Sequence, residues 1–237
     1  MSSPKFPQET RLEIPPGPAG EYRLAQVDDY RTVPRARFPH HPPFDLRLRA
    51  RVSAPDLPGT WGFGLWNDPF SLSLGFGGGA RRFPALPNAA WFFYASPENH
   101  LSFRDDLPGH GLLAQTFRSP NLPGWVLAPA ALALPLLVWK ATARPLRGMA
   151  SRLIREDAVR LNIDPCAWHT YTLGWQARQV IFTVNGRTVQ RTAVSPRGPL
   201  GLVIWIDNQY AALPPAGGLK FGTLANPGPA WLEIEML

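Results

Sequence analysis

The dipeptide Asn185-Gly186 sits between two runs suited to a pleated strand, Val180-Ile181-Phe182-Thr183-Val184 and Arg187-Thr188-Val189. Both residues accept the positive φ of a type I′ turn, whose twist matches that of the strands it joins, so the segment is predicted as a β-hairpin. Branched and aromatic side chains at alternate positions give each strand one face for a core. Trp168 to Gln176 has the same texture upstream. Downstream, Leu200 to Ile206 forms a further strand that ends in the polar cluster Asp207-Asn208-Gln209-Tyr210. The second half of the chain therefore reads as a meander of antiparallel strands with a polar, aromatic-rich rim.

A chain of 237 residues suits one large β-sandwich. Its 28 prolines are more than twice the usual ~5 %. Proline has no N–H to give to a ladder, so it gathers at turns and edges and marks many strand ends. Residues 1–19 are expected to be an extended lead-in and 20–237 the domain. Strands are expected at Glu21–Val27, Phe44–Val52, Trp61–Trp66, Phe70–Phe76, Ala89–Ala95, His100–Arg104 and Leu112–Phe117. In Phe44–Val52, alternation puts Arg47, Arg49 and Arg51 outside and Leu46, Leu48 and Ala50 inside. Gly77-Gly78-Gly79 reads as a turn and not as a phosphate loop, because no Lys-Ser/Thr follows it.

The formal charge of +7 suits an anionic partner, but no nucleic-acid-binding motif is present, and nucleic acid is not expected. The single cysteine, Cys166, excludes an internal disulfide and is expected to be a small buried apolar group. No His/Cys spacing suits zinc. The N-terminus has neither an apolar core nor a cleavage pattern, so the chain as given is expected in the cytoplasm.

Residues 125–163 break the strand pattern. Trp125 to Trp139 is apolar, interrupted by Pro129 and Pro135, and shorter than the ~20 residues of a spanning helix. After it, Pro145 suits a first helical turn. Leu146, Met149, Ala150, Leu153, Ile154 and Leu161 fall at helical spacing, with Arg147, Arg152, Arg155 and Arg160 mostly opposite. Two readings stand: a helical insertion packed on the sandwich, or a segment (125–160) lying in an anionic membrane surface.

Trp168-His169-Thr170-Tyr171, then Trp175, then a strand ending in Val184-Asn185-Gly186, resembles the late strands of concanavalin A-like jelly rolls, family-16 (laminarinase-like) glycoside hydrolases above all. Phe44–Val52 and Gly59-Thr60-Trp61-Gly62-Phe63-Gly64-Leu65-Trp66-Asn67 fit the same template, in the same order. The resemblance implies an all-β, concanavalin A-like jelly-roll sandwich of two antiparallel sheets, here with a helical insertion, and a sugar-binding cleft on one sheet. Relatives of that fold carry a structural calcium, which here would need Glu21, Asp28 or Glu233 to converge; no other cofactor or metal is expected.

Hydrolases of that family act through carboxylates on the strand after the tryptophan-rich one, in an E-x-D-x-x-E pattern. Here that strand reads Asn-Ala-Ala-Trp-Phe-Phe-Tyr-Ala-Ser, and Pro69 to Pro97 contains no Asp or Glu. The expected ligand-binding residues are therefore aromatic and amide side chains on cleft strands: Trp66, Asn67, Trp91, Tyr94, Gln115, Trp205, Asp207 and Asn208. An aromatic plane matches a sugar's C–H face, and polar neighbours match its hydroxyls. Alternation in Leu200–Asp207 sets Trp205 on the mixed face; Trp168 and Trp175 are assigned to packing. The expected function is non-catalytic binding of a poly- or oligosaccharide. The alternatives are a divergent hydrolase with acids drawn from Glu98, Asp105, Asp106 and Asp207, and a membrane-surface scaffold held by 125–160.

Overall fold

The computed structural model describes residues 6–69, 85–123, 126–127 and 139–237. The strands are β1 (Glu9–Ile14), β2 (Leu24–Asp28), β3 (Phe44–Val52), β4 (Thr60–Trp66), β5 (Ala89–Ala95), β6 (Gly111–Arg118), β7 (Arg155–Arg160), β8 (His169–Gln176), β9 (Gln179–Val184), β10 (Arg187–Thr192), β11 (Gly201–Asp207), β12 (Gln209–Ala212), β13 (Lys220–Thr223) and β14 (Ala230–Met236). An α-helix, α1 (Lys140–Leu153), precedes β7.

Two six-stranded antiparallel sheets make the jelly-roll sandwich. Sheet I runs β1-β14-β3-β8-β9-β10 and sheet II runs β2-β11-β4-β5-β6-β7; β12 and β13 pair separately. The hairpin between β9 and β10 turns at Asn185 (φ 51°) and Gly186 (φ 78°), as its sequence requires. Period-two alternation then fills the space between the sheets. Leu46, Leu48, Ala50, Tyr171, Leu173, Trp175, Val180 and Phe182 come from sheet I, and Trp61, Phe63, Leu65, Phe92, Leu202, Ile204 and Ile206 from sheet II. Phe92 sits edge-on to both Tyr171 (4.9 Å) and Phe182 (5.1 Å) and so ties the sheets together.

On the outer face of sheet I the arginines of β3 are held by their neighbours. Arg49 pairs with Glu235 (2.9 Å) and Arg51 with Glu233 (2.7 Å), and both guanidinium groups lie over Trp168, at 5.0 and 4.9 Å from its centroid. Trp168 thus packs beneath cations on the surface, whereas Trp175 is fully buried.

Several boundaries differ from expectation. The lead-in contains β1, an edge strand paired with β14. The first expected strand begins at Leu24, not at Glu21. His100–Arg104 is a turn carrying one isolated bridge, between His100 and Ala212. The helix stops at Leu153, and Arg155–Arg160 joins the edge of sheet II through β6. Pro145 lies in the second turn of α1, not the first. The inward side of α1 also differs, for Ala143, Arg147 and Ile154 are buried while Met149 and Leu153 are exposed. Arg147 can turn inward because Asp105 and the Ser102 carbonyl receive its guanidinium. Cys166 is half-buried. The strand expected over Phe70–Phe76, the turn at Gly77–Gly79 and most of the run from Trp125 to Trp139 lie outside the described residues.

Candidate functional site

The outer face of sheet II is read from its register. Gly64 of β4 faces Val203 on one side and Trp91 on the other, and Gln115 and Ala158 continue that row. The next row runs Gln26, Trp205, Gly62, Phe93, Leu113 and Arg160. Trp66 and Asp207 occupy the same face at opposite ends of the pairing between β4 and β11. A band of indoles results, with Trp66, Trp91 and Trp205 mutually within 5.7–6.4 Å. Trp66 and Trp205 are nearly parallel, at 8°.

Two glycines make that band. A Cβ on Gly62 would stand 2.8 Å from the Trp205 ring, and one on Gly64 would stand 2.6 Å from Trp91 Cβ. Without side chains there, both indoles lie down over β4. The alternation Thr60-Trp61-Gly62-Phe63-Gly64 is the sequence signal for this.

The band divides into a closed and an open end. At the closed end, toward β6 and β7, Trp91, Phe93 and Phe117 are buried against Ile154, with Leu101 and Phe103 packed on them. A hydrogen-bonded chain locks this cover down. Trp91 Nε1 donates to Gln115 Oε1 (3.1 Å), Gln115 Nε2 donates to Glu156 Oε1 (2.9 Å), and the Phe103 N–H donates to Glu156 Oε2 (2.9 Å). Burial pushes the Glu156 carboxyl above the usual range, against the pull of its donors. Glu156 was missed because its segment was read as helix.

At the open end, toward β2 and β11, Trp66 and Trp205 are half-buried, as are Tyr22, Gln26 and Thr60. Trp205 Nε1 donates to Thr60 Oγ1 (3.0 Å), which in turn donates to Asp207 Oδ1 (2.8 Å). The Gln209 N–H and the Tyr22 hydroxyl also bond Asp207. Desolvation nonetheless raises its pKa to about 7. The indole N–H of Trp66 is buried without a partner among the described residues.

Of the expected ligand residues, Trp205 and Asp207 are joined through Thr60 at the open end, Trp66 reaches Trp205 from the far end of β4, and Trp91 and Gln115 lie on the same face under the cover. The other three are placed elsewhere. Tyr94 faces the space between the sheets, stacked on Trp61 at 5.6 Å and 13°, because it is an odd number of residues from Trp91. Asn67 bonds the Leu86 carbonyl and the Asn88 N–H, closing the ends of β4 and β5. Asn208, fully buried, accepts from the Arg23 N–H and donates to the carbonyls of Glu21 and Leu224. Apart from Asp207, the acids considered as replacements lie elsewhere: Glu98 is exposed, Asp105 pairs with Arg147, and Asp106 with Arg104.

The four carboxyl groups on the strands of sheet II do not form a catalytic pair. Asp157 is in register with Thr116 on the opposite face from Glu156. Asp207 and Glu156 are four strand spacings apart, about 19 Å across the sheet. Asp28 faces Val203, four residues along β11 from Asp207, or about 13 Å. Retaining and inverting glycosidases need about 5–5.5 and 6.5–9.5 Å respectively. The three carboxylates considered for calcium each have an arginine partner instead, Arg23 for Glu21, Arg31 for Asp28, and Arg11 and Arg51 for Glu233. Among the described residues no group of three potential metal ligands converges.

No family model and no curated protein matches the chain. Solved structures similar to it include a β-glucanase of Bacillus licheniformis, with 11 % identity, a TM-score of 0.40, and coverage of 96 % of this chain and 76 % of that one. The κ-carrageenase of Pseudoalteromonas carrageenovora, in complex with an oligotetrasaccharide, is 10 % identical with a TM-score of 0.45, over 96 % of this chain and 78 % of that one. LamA of Zobellia galactanivorans, in complex with laminaritriose and laminaritetraose, is 10 % identical with a TM-score of 0.43, over 96 % and 76 %.

Proposed function

We propose that the open end of sheet II binds a carbohydrate chain and leaves it intact. The observation that carries this reading is the pair of half-buried, nearly parallel indoles of Trp66 and Trp205, with Gln26, Thr60 and Asp207 beside Trp205 and Tyr22 bonded to Asp207. Each indole offers a plane to the C–H face of a pyranose, and the amide, hydroxyl and carboxyl groups offer partners to its equatorial hydroxyls. The resemblance of β3, β4, β8 and β9 to family-16 hydrolases implies a sugar for the same sheet. The outward positions of β5 are Ala89, Trp91, Phe93 and Ala95, and the spacings above leave no second carboxyl on the strands of sheet II within reach of Asp207. This supports binding over hydrolysis.

Affinity electrophoresis through β-glucans and other polysaccharides, with a reducing-end assay on the same mixtures, tests the reading. Retardation is expected, without release of reducing ends, and Trp205→Ala should abolish it. Sugar release would show catalysis and point to Asp207. No retardation by any glycan would overturn the proposal.

A further inference from the structure

We propose that the outer stripe of α1, with the arginines at its C-terminal end, docks on an anionic lipid bilayer. Large apolar side chains with high exposure are few among the described residues. Those from Leu122 to Leu153 are Leu122, Val126, Trp139, Met149 and Leu153, leaving Phe221 and Leu237 elsewhere. Trp139 is 63 % exposed, Met149 52 % and Leu153 51 %. Together with the half-buried Leu146 they recur at spacings of seven, three and four, which sets them on one stripe of the helix, beside the side that Ala143, Arg147 and Ile154 bury. The stripe has no partner among the described residues, and its apolar groups gain nothing from water.

Charge indicates what covers it. The helix has no Asp or Glu. Arg152 and Arg155 are exposed, Arg118 is half-buried, and none of the three makes an ion pair among the described residues. Arg118 and Arg155 are direct cross-strand partners in the pairing of β6 with β7, a placement in which like charges repel. Lipid phosphates beside this patch relieve the repulsion while the apolar stripe enters the acyl boundary, which is the arrangement of an interfacial amphipathic helix. A second copy of the chain, at +7, would bring its own arginines to the same place and repel. The helix lies on the surface and does not cross. Its 14 residues span about 21 Å against a hydrocarbon core of about 30 Å, and no helix of the described residues is long and apolar enough to cross a membrane.

The test is flotation of the intact protein with phosphatidylcholine vesicles, with and without phosphatidylserine. Binding is expected only where phosphatidylserine is present. In an Arg152→Gln/Arg155→Gln variant it should weaken about fivefold per arginine removed. A Met149→Ser/Leu153→Ser variant should lose the binding that survives high salt. These side chains are at the surface, so near-ultraviolet circular dichroism should match the parent, and glycan retardation measured on the same variants keeps this proposal separate from the sugar-binding one. Failure to float with phosphatidylserine vesicles overturns it, as does flotation that neither variant changes. Sedimentation velocity showing a dimer that Met149→Ser/Leu153→Ser dissolves would assign the stripe to self-association and equally overturn it.

Discussion

Asp207→Asn isolates the electrostatics of the open end. In the native protein Asp207 is 7 % exposed and its pKa is raised from 3.8 to about 7, with burial the largest cause and the donors Thr60, Gln209 and Tyr22 opposing it. In the unfolded chain it titrates near the ordinary value, so between about pH 4 and 7 the native state holds a proton that the unfolded state has released. Stability with respect to this group is therefore greatest below about pH 4 and declines as pH rises toward 7. The decline saturates above the folded pKa. About 3 pKa units at 1.36 kcal/mol each set an upper figure of about 4 kcal/mol. Asparagine keeps an oxygen for the Thr60 hydroxyl and cannot ionise. Urea unfolding of both proteins across pH 3.5–8, with other titrations cancelling in the difference, should give matching midpoints at the acid end. The asparagine variant should become progressively the more stable one toward pH 7, and the gap should then stay constant. A variant less stable than the parent at pH 8 would refute the reasoning, since it would mean that the three donors outweigh desolvation of the carboxylate.

Trp66→Ala should weaken glycan retardation as Trp205→Ala does, whereas Tyr94→Phe, in the inter-sheet core, should leave it unchanged. In Gly62→Ala the new Cβ meets the Phe92 carbonyl at 2.5 Å and the Trp205 ring at 2.8 Å. It should cost about 1–3 kcal/mol in urea unfolding and, by lifting Trp205, reduce retardation as well. Glu156→Ala strands the Phe103 N–H and the Gln115 amide; a loss of about 1–3 kcal/mol and faster hydrogen exchange at Phe103 are expected. Trp175→Ala, which empties a fully buried site under the Ser195 hydroxyl, should cost about 3–5 kcal/mol with no separate effect on binding by the protein that remains folded.

Local chemistry was enough for much of the frame. The Asn185-Gly186 turn, the alternation of Phe44–Val52 and the strand Ala89–Ala95 are written in residues within a few positions of one another, since a turn needs positive φ and a half-buried strand needs period two. The same alternation placed Trp205 and Asp207 on one face of β11, because that strand mixes polar and apolar positions. In β5 it had nothing to work with. Both of its faces are apolar, as a strand covered on both sides requires, so which of Trp91 and Tyr94 met the outside depended on pairing. The segment from Ile154 to Leu161 satisfied helical spacing and strand alternation alike; hydrogen bonds to β6 decided it, and with it the burial of Glu156. Residues distant in sequence also decided the state of the site. Leu101, Phe103 and Ile154 close one end of the indole band, and Thr60 and Tyr22 bond the Asp207 carboxyl at the other. Sequence by itself determined strands, turns and the mixed face of β11, because those follow from short-range periodicity, while the sandwich was implied by the resemblance of its motifs. Only the tertiary structure decided which part of the aromatic face is open and how its buried carboxyls titrate, because desolvation and hydrogen bonding depend on neighbours that the chain brings in from far away.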